Sequence, residues 1–283
     1  MTDDRHVVVH TDPRGRIVTM DTITYANDTY GPGDVLIGGS WMGVVPVSFA
    51  VPYKPRAIIC NDGGVGKDGG GINGLYYLDG HGIAAAAAAA NSCEIANGRS
   101  HWETGVISHV NHWAAACGCQ PGMSVQTCAR LLLDWNAETR AKAPPRDGRS
   151  TVYSGSEGEI VTVDSIKYVN DTDHDKVVII GSHGGVTTCT FAIAAAPRGV
   201  VVSDGGRGRD GAGVRGLELL DAERIPAAAV AVHSAAIGDG RGLYEHGIIS
   251  AVNASAAALG ACVGMPTRDV AMRFLLREQA FGG

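Results

Sequence analysis

The chain repeats itself. Ile17-Val18-Thr19 recurs as Ile160-Val161-Thr162, and Asp21, Ile23, Tyr25, Asn27, Asp28 and Thr29 recur as Asp164, Ile166, Tyr168, Asn170, Asp171 and Thr172, an offset of 160 − 17 = 143. One residue is then lost, so that Gly39-Ser40 matches Gly181-Ser182 at 181 − 39 = 142, and this register holds to Gly122-Met123 against Gly264-Met265. Between residues 56–79 and 198–221, twelve of twenty-four positions are identical without a gap. Self-similarity of this kind means that one structural unit is built twice, and it decides the fold before any local pattern does.

The reading is an α/β chain of two tandem copies of one strand–helix unit, each with a mostly parallel sheet, related by a pseudo-two-fold. The divisions are an N-terminal extension (1–16), a first repeat (17–135), a linker (136–158) carrying Pro144-Pro145, a second repeat (159–276) and a C-terminal tail (277–283). The apolar runs are short, continuous and rich in Val, Ile or Ala, as strands covered on both faces require. They lie at 34–38, 57–60 and 83–90, matched by 176–181, 199–202 and 225–232. Residues 17–25 alternate like an edge strand or hairpin arm. Helical spacing is expected at 72–79, 105–116 and 124–135, with partners at 214–221, 247–258 and 267–276.

Composition narrows the function classes. Charged residues make up 18% of the chain, below the roughly 25% usual for globular proteins. So thin a charged surface implies extra burial, and a homo-oligomer is expected. A net charge of −6 with no Lys/Arg run argues against nucleic acid or membrane surfaces as partners. No basic-then-apolar leader precedes the first repeat, and no apolar run has membrane-spanning length. Seven cysteines, none at a position shared by both copies, read as reduced thiols and a cytoplasmic location rather than a disulfide frame. Cys117-Gly-Cys119 lacks a second pair at zinc spacing.

In α/β sheets, ligands gather beyond the carboxyl ends of the strands. That nominates three loops per copy: Gly39-Ser40-Trp41 and Gly181-Ser182-His183, residues 61–69 and 203–211, and Asn91-Ser92 and His233-Ser234. The middle loop carries G-x-G-x-x-G at Gly64, Gly66 and Gly69, and again at Gly206, Gly208 and Gly211. A dinucleotide site also needs an acidic residue at the end of the next strand, and neither copy has one. The calcium-roll spelling G-G-x-G-x-D occurs singly in each copy, and a P-loop would need Gly at 61 and Ser or Thr at 68. What survives is general: glycines that expose consecutive backbone N–H groups, with Lys67 and Arg209 as matching cations, form a seat for an anionic or polar small molecule. Asp68 and Asp210 are expected as helix N-caps. Asp62 and Asp204, at strand ends, are candidates for acid–base or metal-linked work or for stabilising a turn.

Ser40, Ser92, Glu103, Ser108 and Asn111 recur as Ser182, Ser234, Glu245, Ser250 and Asn253. Ser108 and Asn111 are expected on one helix face, bonded to a neighbouring loop, and Glu103 just before that helix. His109 and His112, at i and i+3, could form a two-ligand metal face but are expected on a solvated face of the same helix, and His183 in Gly-Ser-His-Gly-Gly is the leading candidate for a general base.

The favoured function is a cytosolic hydrolase of a small polar amide, lactam or related C–N bond, with its site at the glycine-loop edge between the repeats. His183 would be the base, with Ser92, Ser234, Asp62 and Asp204 as catalytic candidates. Lys67, Arg209, Gly64, Gly66, Gly206, Gly208, Ser182, Glu103 and Glu245 would bind substrate. No cofactor is required by this reading. An alternative is a lyase. Residues 199–210, Gly-Val-Val-Val-Ser-Asp-Gly-Gly-Arg-Gly-Arg-Asp, resemble the Asp-Gly…Arg-Asp segment of RraA-type metal-dependent aldolases, although the spacing departs by an insertion and the first copy has Lys67 for Arg209. The resemblance implies that Arg209 grips a keto-acid carboxylate and that Asp210, with Asp68 in the first copy, serves Mg²⁺ or Mn²⁺. A third alternative is a non-catalytic ligand-binding or assembly protein whose loops only cap helices.

Overall fold

The computed structural model describes residues 6–136 and 148–277. These divide into two compact units, one of residues 6–65, 71–136 and 208–210, the other of residues 66–70, 148–207 and 211–277. The division cuts through both glycine loops, so that a short stretch of each loop is counted with the unit of the other copy.

In the first unit the order is β1 (His6–Asp12), β2 (Gly15–Met20), β3 (Val35–Trp41), α1 (Val44–Ser48), β4 (Ala57–Asn61), α2 (Gly74–Asp79), β5 (Ala84–Ala88), α3 (Gly98–Thr104), β6 (Ile107–Val110), α4 (His112–Ala116) and α5 (Val125–Leu132). In the second it is β7 (Ser150–Gly155), β8 (Gly158–Val163), β9 (Val177–His183), α6 (Val186–Ala194), β10 (Gly199–Ser203), α7 (Gly216–Ala222), β11 (Ala227–Val230), α8 (Gly240–His246), β12 (Ile249–Val252), α9 (Ala254–Ala258) and α10 (Thr267–Leu275). Each unit holds one six-stranded sheet whose strands lie side by side in chain order. The four central strands are parallel, and an antiparallel strand closes each edge. Strand order never reverses, so neither sheet has the switch-point crevice of a doubly wound dinucleotide fold.

Burial explains the unbroken apolar runs. Ile17, Val35, Ile37, Ala57, Ile59, Ala84, Ala86 and Ala88 point to one face, where they meet Val125, Ala129 and Leu132 of α5. Val18, Leu36, Ile58, Ala85 and Ala87 point to the other, against Val47 of α1 and Leu75 and Leu78 of α2. The second unit repeats this, with Val270 and Phe274 of α10 on one face and Cys189, Leu217 and Leu220 on the other. A sheet covered on both faces has no polar side, and alternation disappears from its sequence.

Several expectations are corrected. The segments read as N-terminal extension and linker contribute β1 and β7, each paired antiparallel with the next strand. Residues 17–25 therefore hold an interior strand, because β2 also pairs with β3. The helices expected over 105–116 and 247–258 are each a strand followed by a short helix. Asn111 and Asn253 cause the break: each is extended (φ −85°, ψ 175°) and caps the helix after it. Glu103 lies inside α3, a helix absent from the reading because its Gly-Arg-Ser-His start lacks apolar periodicity. Among the described residues no helix is long and apolar enough to cross a membrane.

The two asparagines hold the edge of each sheet. Asn111 Oδ1 accepts from the backbone N–H groups of Ala85 and Ala114, at 2.9 and 3.0 Å, and its Nδ2 donates to the Ile83 carbonyl at 2.9 Å. Asn253 makes the same bonds to Ala227, Ala256 and Ile225, each at 2.9 Å. Truncation to alanine strands two buried N–H groups and a carbonyl. Asn111→Ala and Asn253→Ala should therefore each lower stability by about 2–4 kcal/mol, read as the shift in urea-unfolding midpoint. A change within experimental error for either variant would refute this role.

Candidate functional site

At the carboxyl edge of each sheet one aspartate organises the backbone. Asp62 Oδ1 accepts from Gly64 N–H, two residues on, and from Ala90 N–H beyond β5, both at 2.9 Å. Asp204 Oδ1 accepts from Gly206 and Val232 at 3.0 Å. Of the two roles weighed for these aspartates, these contacts are those of turn stabilisation. The remaining oxygen of Asp204 receives the Ser250 hydroxyl at 2.8 Å.

The loop that follows is wound left-handed. Gly63, Gly64, Val65 and Gly66 have φ of 55°, 71°, 63° and 70°, and Gly205, Gly206, Arg207 and Gly208 have 56°, 71°, 60° and 64°. For glycine this costs little, but for a β-branched valine it is a true outlier. Strain of this kind persists only where surrounding bonds over-determine it. Here Val65 N–H donates to the Asp62 carbonyl at 2.7 Å and the Val65 carbonyl accepts from Gly71 at 2.8 Å. Asp68 and Asp210 are also left-handed, at 55° and 54°. They are not helix caps, because the cap positions of α2 and α7 fall at Asn73 and Arg215.

The cations of the loops lie over the turns after the third parallel connection. In the first unit Arg209 N–H donates to the Ala90 carbonyl at 2.8 Å, and its guanidinium reaches the Ser92 carbonyl at 3.4 Å. In the second, Lys67 N–H donates to the Val232 carbonyl at 2.9 Å, and its ammonium lies 3.5 Å from the Ser234 carbonyl.

The serines nominated as nucleophiles are occupied. Ser92 donates to the Ala89 carbonyl at 2.7 Å and accepts from Val106 N–H at 2.9 Å, and Ser234 does the same with Ala231 and Ile248. Ser40 and Ser182 accept from the N–H groups of Ile23 and Ile166 at 3.0 Å. Glu103 and Glu245 pair with Arg99 and Arg241 one helical turn earlier. His183 is buried at the end of β9, where its Nδ1 accepts from Gly185 N–H at 3.0 Å. Burial holds the ring neutral, with its pKa lowered to about 4. The expected base is thus a neutral, backbone-bonded ring.

Two groups escaped the sequence reading. The first is Ser108-His109 on β6. The hydroxyl lies 3.1 Å from His109 Nδ1 and 3.2 Å from the Ala87 carbonyl, and both residues are partly exposed. The Ala88 carbonyl beside it takes the backbone N–H of Asp62 at 2.7 Å. The expectation of a solvated helical face fails because residues 107–110 are a strand, bulged against β5. With four residues each, Ile107-Ser-His-Val110 and Ile249-Ser-Ala-Val252 are too short to carry a strand period. The second group is buried: Asn61 Nδ2 donates to His101 Nε2 at 3.3 Å and to Cys93 Sγ at 3.6 Å, while His101 Nδ1 donates to the Asn97 carbonyl at 2.8 Å. It contains a thiol, an imidazole and an amide, yet burial raises the Cys93 thiol to about 12 and lowers His101 to about 4. Both stay neutral. The cluster's task is positional, since Asn61 Oδ1 takes Gly63 N–H at 2.9 Å and so fixes the start of the glycine loop.

Among the described residues no group of three or more His, Cys, Asp or Glu side chains is arranged to hold a metal ion. Asp68 and Asp210 are exposed, and Asp210 pairs with Arg209 at 3.4 Å. Comparison with family models, curated proteins and solved structures gave no match.

The two buried imidazoles make stability depend on pH. Each has a folded pKa near 4, below its unfolded value of about 6.5, so the unfolded chain takes up protons that the folded chain refuses. Their contribution is complete above pH 6.5 and declines as pH falls toward 4, by about 3 kcal/mol per ring at the limit. In urea titrations across this window, His101→Leu, which places the second copy's Leu243 side chain at this position, should flatten the dependence by up to one proton. An unchanged slope would show that His101 is not the titrating group.

Proposed function

We propose that the chain is a hydrolase of a small polar amide, lactam or related C–N bond, working at the carboxyl edge of the first sheet. The observation that carries this reading is the 3.1 Å contact between Ser108 Oγ and His109 Nδ1, beside the Asp62-held glycine loop. A serine needs an adjacent base to become a nucleophile at neutral pH, and hydrogen-bond contact with an imidazole meets that need. Rotation about one C–O bond turns the hydroxyl hydrogen from the Ala87 carbonyl to His109. In this reading Ser108 attacks the substrate carbonyl and His109 receives the proton. His109 then returns the proton to the leaving nitrogen, and water releases the acyl group from Ser108. Arg209 is the group for an anionic substituent.

The same reading makes the two copies unequal descendants of one duplicated unit. Ser250 is present in the second copy, but Ala251 stands where His109 would be, and the Ser250 hydroxyl is given to Asp204.

The test is acylation. An activated ester or amide offered to the purified chain should leave an adduct on Ser108, found by peptide mass mapping. Ser108→Ala should abolish turnover and adduct, and His109→Ala should slow acylation by about 10²–10⁴-fold. His183→Ala, if folded, should retain the adduct. Turnover that survives both Ser108→Ala and His109→Ala would overturn the assignment. Activity removed by a chelator and restored by Mg²⁺ or Mn²⁺ would favour the lyase alternative.

A further inference from the structure

We propose that Cys119 and Cys128 form an oxidisable dithiol, a modification site that a hydroperoxide converts into an intramolecular disulfide. The two sulfurs are 2.9 Å apart in the core behind the first sheet, with Cys119 in the turn after α4 and Cys128 in α5. The Cys128 thiol donates to the Cys119 sulfur, and the Cys119 thiol faces the Cys128 carbonyl at 3.6 Å. A disulfide requires a sulfur separation of about 2.05 Å, so the pair closes by less than about 1 Å. A turn and the first half of a helix supply that movement without disturbing a strand.

The second copy provides an independent argument. It fills the matching positions with Ala261 and Val270, both buried in an equivalent core. The architecture therefore packs without sulfur at either place, and a pair of thiols in contact is a property added to the first copy alone. Cys117, two residues before Cys119, is partly exposed.

The chemistry balances with one peroxide. The hydrogen bond from Cys128 favours the Cys119 thiolate, and the thiolate is the reactive form. Its sulfur attacks a peroxide oxygen, the O–O bond breaks, and the departing hydroxide takes a proton to become water. This leaves a sulfenic acid on Cys119. The Cys128 sulfur then attacks the Cys119 sulfur, the S–O bond breaks, and the leaving hydroxide takes the Cys128 proton as the second water. Two thiols are oxidised to one disulfide and one peroxide is reduced to two waters. The ring closed in this way spans Gly122 and Met123, whose backbone bonds Ile107 at 2.8 Å on both sides, one residue before Ser108.

Hydrogen peroxide is the probe, applied to the full folded chain, followed by alkylation, digestion and mass mapping. The expected result is a loss of two hydrogens in the peptide holding residues 119 and 128, with these two cysteines protected from alkylation until reduction. Cys117→Ser should leave that signal intact. Cys119→Ala with Cys128→Val, which copies the second repeat's own core, should remove it. Protection that requires Cys117, oxidation of single cysteines to sulfinic acid without cross-linking, or unreacted Cys119 and Cys128 while Cys117 is consumed would each overturn the proposal. The wild-type map decides this even if a variant fails to fold.

Discussion

A single carboxylate oxygen that accepts two backbone N–H groups underlies the carboxyl edge of each sheet. Asp62 and Asp204 each bind one N–H from the turn that follows their own strand and one from beyond the neighbouring strand. Charge-assisted bonds of this type are stronger than neutral ones. The bonds to Ala90 and Val232 are also buried. The run of left-handed residues that follows is unfavourable in isolation, above all at Val65, and it is held because its first turn is fixed at that oxygen. The loop's shape is therefore a property of the aspartate as much as of the glycines.

On this shared frame the copies carry different chemistry. Asn61, Cys93 and His101 form a buried polar chain in the first unit, where the second has Ser203, Ala235 and Leu243. Val65 and Arg207 adopt nearly the same strained conformation, yet Arg207 uses its guanidinium on the Ser250 carbonyl. The backbone hydrogen bonds made by Asp62 and Asp204 and by Asn111 and Asn253 are kept in both copies, while other side chains, including His101 against Leu243, have diverged. Identity between the copies therefore marks the scaffold, and difference marks where function could specialise.

The repeat made the number of sheets, their parallel core and the position of the glycine loops legible in the sequence. Helices without apolar periodicity, such as α3, were not legible. Nor were the outer strands, because β1 has one open edge and β7 reads as a Ser-rich linker. The site was harder still. Ser92 and Ser234 look like exposed nucleophiles in a string of letters, and only coordinates show their hydroxyls committed to two backbone partners each. His183 drew attention as an imidazole at a strand end, but whether a ring is a base or a buried neutral group depends on desolvation, which no motif records. Ser108-His109 is not legible because residues 105–116 read as one helix, and helix and strand distribute neighbouring side chains differently over their faces.

The five consecutive alanines of β5, which pairs with Ala57 of β4, and their counterparts Ala227 to Ala229 in β11 of the second unit have a consequence of their own. Alanine loses no rotamer freedom on folding, yet it is a weak strand former, so this strand is ordered by its neighbours rather than by itself. Both of its faces are fully enclosed, and added methylenes in such a place cost about 1–3 kcal/mol. The strand next to the antiparallel edge strand β6 or β12 is thus the thinnest layer of each sheet and its least forgiving one. Mutational drift there is confined to side chains near the size of a methyl group, while the bulky strands on either side can exchange volume with the helices that cover them.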